Sequence, residues 1–489
     1  MSDYDAVVVG AGVIGASIAL ELQRHGRRVM VVDKGDAVGG ASTSSSSSIV
    51  RFTYSTIEGV VASWESMHRW ASWSQHLGPI DGPLCFFHRI GMLHITAPGD
   101  DMEQMRENFA TVGVPHEFLR APEIARRHPA LNVGRYHPPK LPSDDHFFDD
   151  PHGDVSALYL PDAGIVDDPQ LAAINLGDAA KRDGATVRLR SRVTSIDRAD
   201  GRVTGVTLDN GEAITAPVVV NAAGPWSAQL NAIAGVRDEM NIGTRAMRQE
   251  VASTTAPAAF GVGTGGCVVG DRDLGTYARP QPGGSYLIGG IEAECDPTIW
   301  VDDPDSSNPN ISVEMFEALV YRAAIRVPDL EIPHQPRGLA DHYDVTDDWI
   351  PIYDCTSLGG YYLAIGTSGN QFKNAPLVGD ILRTIIDACE SGHDHDADPV
   401  ALDCPNAGQT IGLGHYSRLR QPANTSGTVM GRRRSTGRRR IPATGRRAGR
   451  SSVVATDARR QRRAGSTQRA ALPMWSRTGT ADGTSWSSN

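Results

Sequence analysis

The chain has 489 residues, more than one ordinary hydrophobic core holds, so two or more domains are expected. Hydrophobic residues make up 40% and charged residues 21%, a globular balance that argues against a disordered chain, and no apolar run reaches the roughly 18 residues of a membrane span. The formal charge of −10 hides an asymmetry, because the chain turns arginine-rich from about Arg418 onward and the rest is correspondingly more acidic.

In chain order, Ala6 to Val9 is a short β-branched run that reads as a buried strand. It leads into Gly10-Ala11-Gly12-Val13-Ile14-Gly15, then a helix with Ile14, Ile18 and Leu22 on one face, closed at Gly26. A second buried strand, Val29 to Val32, ends at Asp33. Gly10 permits the tight turn, Gly12 lets backbone approach a pyrophosphate, and Gly15 lets helix and strand pack closely. The helix start offers free N–H groups and a positive dipole to phosphates, and Asp33 can accept hydrogen bonds from a ribose diol. Strand, glycine turn, helix, strand and acid in this order point to a dinucleotide site; this unit alone leaves NAD and FAD both open.

The run "STSSSSSIVRFTY" follows (residues 42–54), a flexible-looking polar segment that delivers Arg51. Residues 57–77 predict a helix with Trp64, Met67, Trp70, Trp73 and Leu77 as its core stripe. A strand is expected at 90–96, helices near 100–113 and 121–128, and a proline-rich acidic loop over 138–156. A helix from about Pro169 and a strand near Thr186 to Leu189 return to the first pattern. Hairpins turn at Asp200-Gly201 and Asn210-Gly211, and Pro217 to Asn221 is a buried strand before a small-residue turn. Residues 240–345 read as strand-rich with one helix near 312–325, and "YYLAIGTSGNQFKNAPLVGDILRTIIDACE" is strand, glycine turn and helix. A nucleotide domain interrupted by a sheet-rich domain is the architecture implied.

The acidic start, Met1 to Asp5, lacks the basic region of a signal peptide, and a cytoplasmic protein is expected. The 6 cysteines show no metal spacing and are expected to be reduced thiols. "SGHDHDAD" (391–398) is the one tempting metal stretch, but its residues suit a solvated loop, and no metal is expected. The arginine-rich tail, residues 430–489, has little apolar periodicity and is expected to be disordered; without interleaved aromatics it does not read as a nucleic-acid binder.

The glycine turn with Asp33, "GGASTSSSSSIVRFTY", "VVVNAAGPWS", "YARPQPGGSYLIGG" and "GTSGNQFKNAP", in this order, resemble the FAD-dependent D-amino acid oxidase superfamily, most closely its sarcosine oxidase and dimethylglycine dehydrogenase branch. The resemblance spans residues 3 to 430. It implies an α/β fold, with a Rossmann-type FAD-binding domain (1–85, 155–235 and 345–415) interleaved with an antiparallel-sheet substrate domain (86–154 and 236–344). It places Gly10, Gly12, Val13, Ile14 and Gly15 at the pyrophosphate, Asp33 and Lys34 at the adenosine ribose, and Val193 at adenine. Ser42, Ser47 and Ser48 would wrap the flavin, Ala222, Ala223 and Gly224 pass close to it, and Trp226 cover it. Gly366, Gly369, Asn370, Gln371, Phe372 and Lys373 would cap the isoalloxazine.

The resemblance also implies that Arg51 and Lys373 clamp a substrate carboxylate, with Tyr277, His342 and Tyr343 as pocket residues. Asp341 stands near the place of a flavin-linking cysteine in some relatives, and residues 40–50 contain no histidine, so noncovalent FAD is expected. No lysine occupies the oxygen-activating position near Leu287-Ile288, so slow reaction with oxygen is expected. The implied activity is oxidation of the C–N bond of a small amino acid, N-methylated or otherwise N-substituted, with O2 or another carrier taking the electrons. The alternatives are a D-amino acid or glycine oxidase or dehydrogenase, and a flavin subunit of a larger amine dehydrogenase assembly.

Overall fold

The computed structural model describes residues 2–423; the arginine-rich tail lies outside them. Ala6–Val9 and Val29–Val32 are buried at every position, as strands covered on both faces must be. They sit centrally in a six-stranded sheet whose order is Ile352–Asp354, Tyr361–Ile365, Val219–Asn221, Ala6–Val9, Val29–Val32, Thr186–Arg188. All neighbours run parallel except the antiparallel edge strand Ile352–Asp354. Four strands distant in sequence thus join the first unit, which answers the expected return to the nucleotide pattern.

Helix Val13–Arg24 packs against helices Pro169–Arg182 and Ala375–Glu390 over this sheet. Small residues set the approach. A Cβ at Gly379 would lie 2.5 Å from the Ser17 carbonyl oxygen, and the Ser17 hydroxyl donates to the Ala375 carbonyl at 2.5 Å. Asp168 caps the helix that Pro169 opens, accepting from the Leu171 N–H at 2.9 Å. An antiparallel three-stranded sheet, Val193–Ala199, Arg202–Leu208 and Ala213–Thr215, carries both expected hairpins, and its buried Val193, Ile196 and Val206 share a core with Val7 and Val32.

The second layer is a nine-stranded sheet containing Thr244–Thr255, Val268–Asp271, Thr276–Pro280, Ser285–Gly290 and Gly338–Thr346. Its neighbours are antiparallel apart from Val268–Asp271 against Met92–Ile95. Ser156–Leu160 belongs to this sheet, pairing with Met92–Ile95, although its position in sequence falls in a stretch expected in the cofactor domain. Helix Val313–Arg326 covers one face, and its Arg326 is fixed by the buried Asp271 and Asp273 at 2.6 and 2.9 Å. The opposite face carries Met92, Leu158, Val268 and Tyr277 into the same apolar core as the helices of the first sheet. That shared core draws residues 2–423 into one compact unit, and the division into two domains is a proposal within it.

Within the "SGHDHDAD" stretch, Asp396 does come together with Asp354 and Cys355. Arg418 lies among them, donating to Asp354 at 3.0 Å and to both oxygens of Asp396 at 2.7 Å. A guanidinium therefore supplies the positive charge this acidic group needs, and pins the chain beyond Tyr416 to the sheet edge. Among the described residues no helix is long and apolar enough to cross a membrane.

Candidate active site

The glycine turn is built as its spacing demands. Gly10 holds φ +115°, and a Cβ there would sit 2.2 Å from the Ala222 carbonyl oxygen; a Cβ at Gly15 would sit 1.9 Å from the Gly10 carbonyl oxygen. Gly12 precedes the helix with no side-chain cap of its own, and the Val13 N–H donates to the Thr43 hydroxyl at 3.1 Å. Asp33 accepts from the Ala11 and Gly35 N–H groups at 2.6 and 2.7 Å, tying the turn to the end of the second strand. A carboxylate has further lone pairs for a ribose, but its structural contribution was not foreseen in the sequence.

Gly12, Val13, Ile14, Ala222 and Gly224 line a cavity that continues past Ser42, Ser47 and Ser48 to Arg51 and Lys373. Gly10, Gly15, Ala223 and Gly366 are not among its lining residues; at Gly366 a Cβ would meet Thr346 at 2.2 Å. Asp33, Lys34, Val193 and Trp226 also stand outside it. Trp226 does not cover this cavity. Its ring lies under the Lys34 ammonium at 3.7 Å, and its Nε1 donates to Asp305 at 3.0 Å. Asp305 also binds Lys34 and Arg192, so one acid gathers two cations and an indole beyond the end of the second strand.

The serine run is a coil of turns whose hydroxyls reach across the cavity. Ser42 donates to the His342 carbonyl at 2.9 Å, Ser47 meets the Tyr277 hydroxyl at 2.7 Å, and Ser48, in the left-handed region at φ 47°, donates to the Val166 carbonyl at 2.6 Å. Ile49–Val50 then pairs with Gly164–Val166, which fixes the direction in which Arg51 leaves the strand. The floppy composition is thereby pinned at three places.

Arg51 and Lys373 are 8% and 2% exposed and line the same cavity. Arg51 Nη1 donates to the Thr53 carbonyl and hydroxyl at 2.8 and 3.0 Å, and the Lys373 ammonium donates to the Asn370 carbonyl. Both cations approach the Tyr54 ring, at 5.5 and 4.7 Å from its centroid. Burial, and then the charge of Arg51, pushes the Lys373 pKa well below that of an ordinary lysine. Burial likewise lowers that of Arg51.

The second sheet supplies another part of the wall. Gln249 faces Asp341 and Met247 faces Tyr343 in the register of Thr244–Thr255 with Gly338–Thr346, so Gln249, Asp341 and Tyr343 share one face and line the cavity. Tyr277 and Tyr343 have their hydroxyl pKa values raised by burial. Each leans on a glycine: a Cβ at Gly289 would fall 2.3 Å from the Tyr277 ring, and one at Gly369, where φ is +64°, 2.2 Å from the Tyr343 ring. His342 also lines the cavity, its Nδ1 3.4 Å from Asp341 and its Nε2 buried without a hydrogen-bond partner.

The turn after Tyr361–Ile365 is locked from below. Gln371 bonds Asn370 and accepts from the Tyr353 hydroxyl at 3.1 Å, Phe372 stacks on Trp70 at 5.4 Å, and the Trp70 indole donates to the Lys373 carbonyl at 2.8 Å. Asp344 accepts from the Gly366 N–H at 2.6 Å, and burial pushes its carboxyl up to about 7. Thr43, Tyr54, Gln249, Glu292 and Asp344 are site residues that sequence reasoning missed. Tyr54 was within reach as the last residue of the stretch that delivers Arg51; the others carry no motif.

A dinucleotide-binding turn opening into a cavity walled by a second, antiparallel sheet defines a flavoenzyme-type fold. Residues 5–384 match the family described as FAD dependent oxidoreductase, and the chain belongs to that family. It is 25% identical over 398 residues to a glycine oxidase of Geobacillus kaustophilus, covering 80% of this chain and 95% of the relative. Among solved structures, L-proline dehydrogenase from P. horikoshii superposes with a TM-score of 0.65 at 23% identity, over 80% of this chain and 95% of that one. Glycine oxidase from Geobacillus kaustophilus gives 0.64 at 22% identity, over 81% and 98%. The residues fit FAD: the bare Gly12, the helix N-terminus at Val13 and Ile14, and a continuous cavity from there to Tyr343 supply a phosphate cradle at one end and a buried wall at the other.

Proposed function

We propose that this FAD-dependent oxidoreductase oxidises the C–N bond of a small amino acid carrying an N-methyl or other N-substituent. When bound, the flavin supplies the hydride acceptor, and the protein supplies binding, orientation and exclusion of water. The observation that carries the reading is the pair of buried cations, Arg51 and Lys373, on one cavity wall around Tyr54. Two buried like charges repel and lower one another's affinity for protons, and a substrate carboxylate relieves both. Arg51 offers a planar fork and Lys373 a point charge, so the anion is held in position and direction. Tyr277 and Tyr343 line the same cavity, and holding the carboxylate is proposed to fix which C–H faces the flavin. Gly12, Val13, Ile14, Ser42, Ser47, Ser48, Asn370, Gln371 and Phe372 are proposed to contact the cofactor, with Asp33 and Lys34 at its adenosine end.

A second reading is a primary amino acid such as glycine, supported by the relative named glycine oxidase. Anaerobic bleaching of the flavin absorbance by N-methylglycine, N,N-dimethylglycine, glycine and D-alanine, each beside its carboxylate-free amine, tests both. Bleaching by N-methylated amino acids above the rest supports the first reading, and by glycine or D-alanine the second. Bleaching by the carboxylate-free amines alone would sink the amino-acid assignment.

A further inference from the structure

Lys34 follows the strand Val29–Val32, and Trp226 follows the strand Val219–Asn221. These strands flank Ala6–Val9 on its two sides and run parallel to it, so Lys34 and Trp226 stand at the same, carboxyl edge of the sheet. The glycine turn leaves the central strand between them. The Lys34 ammonium lies 3.7 Å from the centroid of the Trp226 ring, so the two side chains meet across the end of that strand. Asp305, from the segment that leads out of the second sheet, completes the bridge. It binds Lys34, accepts from the Trp226 indole at 3.0 Å and pairs with Arg192, just before the strand Val193–Ala199, at 3.0 Å.

The segment carrying Asp305 is firmly built. Arg248, on the strand Thr244–Thr255, donates to the carbonyls of Asn308 and Asn310. Asp303 accepts from the Asp305 N–H at 3.1 Å and from the Ser306 hydroxyl at 2.7 Å, which shapes the turn that presents the acid. The glycine turn itself does not need this bridge, since Gly10, Gly15 and Asp33 hold its geometry. In a parallel sheet a dinucleotide lies outside the carboxyl ends of the strands, where such a turn leaves.

We propose that Lys34, Trp226 and Asp305 form a latch over the adenosine end of bound FAD, which must open for the cofactor to enter or leave. The proposal rests on the placement of Asp33 and Lys34 at that end and needs no particular substrate. Asp305 is absent from the cavity lining and is a positioning residue that acts through Lys34 and Trp226. The groups are partly exposed, so one pair alone contributes little, but an acid shared by two cations and an indole couples both sides of the crevice.

The test follows FAD leaving the loaded protein, read as the rise of free-flavin fluorescence on dilution. Asp305→Asn keeps an acceptor for the indole and removes the charge; Asp305→Ala removes both. At low salt each variant should release FAD at least about fivefold faster than the wild type, and about 0.5 M salt should narrow the gap by screening the latch. By charge alone an acid near a pyrophosphate opposes its binding, so slower release from the variants would reveal a purely electrostatic role and overturn the proposal. Equal release rates at low salt overturn it too. The melting temperature should fall in the loaded variants and stay unchanged in their flavin-free forms; equal losses in both forms make Asp305 a fold contact, and the proposal fails. Lys34→Met should also speed release, and adding it to Asp305→Ala should add little, because one latch is broken either way; fully additive effects would show that the two residues act separately. Wild-type release that does not quicken with salt overturns the latch without any variant.

Discussion

Replacing Arg51 with alanine removes the buried cation whose charge, after burial, lowers the proton affinity of Lys373, and the consequence can be followed through that lysine. Losing a charge-assisted hydrogen-bonded partner costs a bound carboxylate about 1.5–3 kcal/mol, which is roughly ten- to hundredfold in affinity. The Lys373 pKa is depressed first by burial and second by Arg51, and it is the protonated lysine that binds an anion. In the wild type, carboxylate affinity should fall as pH rises through that lowered pKa. In Arg51→Ala the second cause is gone, so the same limb should lie at higher pH, while the affinity below it is weaker. Binding of methylthioacetate, followed by the flavin spectrum between about pH 6 and 10, isolates this limb because the probe has no titrating amine. An unmoved limb, or one displaced to lower pH, would refute the coupling of the two cations. An equal loss for dimethylamine would show that Arg51 supports the flavin or the fold instead.

Gly369→Ala combines a left-handed backbone with a Cβ driven into the Tyr343 ring, so kcat/KM should drop at least about tenfold with flavin content retained; an active variant would show that the Tyr343 position is immaterial. Asp33→Ala frees the Ala11 and Gly35 N–H groups, and should weaken FAD retention by about 1–3 kcal/mol, measured as the flavin released on gel filtration, without a comparable fall in the apoprotein's melting temperature. Lys373→Met replaces a desolvated ammonium with an apolar chain and should stabilise the fold by about 1–4 kcal/mol at neutral pH while abolishing carboxylate binding. The sign follows from linkage: the native lysine binds its proton less tightly than the unfolded one, so wild-type stability should rise with pH from the lowered pKa towards the ordinary lysine value, and the variant should lose that rise. Reoxidation by air is expected to be slower than by an acceptor dye, since the resemblance puts an oxygen-activating lysine near Leu287-Ile288 and none is there; rapid stoichiometric peroxide formation would contradict this.

The first turn was legible because each of its residues has a backbone reason to be what it is. The bare Cα positions of Gly10 and Gly15 are demanded by carbonyl oxygens about 2 Å from where a Cβ would lie, and no alignment is needed to read that from spacing. The helix stripe Trp64, Met67, Trp70, Trp73 and Leu77 was legible for the same kind of reason, a period that only burial rewards, and all five are buried. What could not be read was partnership across the sheets. Trp226 looks the same in sequence whether it covers a ring or lies under Lys34 beside Asp305, because Asp305 arrives from a loop some eighty residues away. Asp33 could be assigned to a ribose from its place at the strand end, but its two backbone donors are visible only once Ala11 folds back over it.

Glu292 shows the limit most clearly, and its physical meaning comes from charge balance. Arg51 and Lys373 were found through a resemblance, and each alone reads as a surface cation; together and buried they create a field that must be answered. Part of the answer is a neutral ring, Tyr54, whose π face lies towards both cations. Another part is Glu292, which lines the same cavity in a left-handed backbone and whose charge raises the proton affinity of Arg51. Two buried cations lining one cavity beside the Tyr54 ring are the feature from which an anionic group on the substrate is proposed. That pair, and not the flavin fold, which serves many substrates, is what supports the proposed carboxylate-bearing substrate.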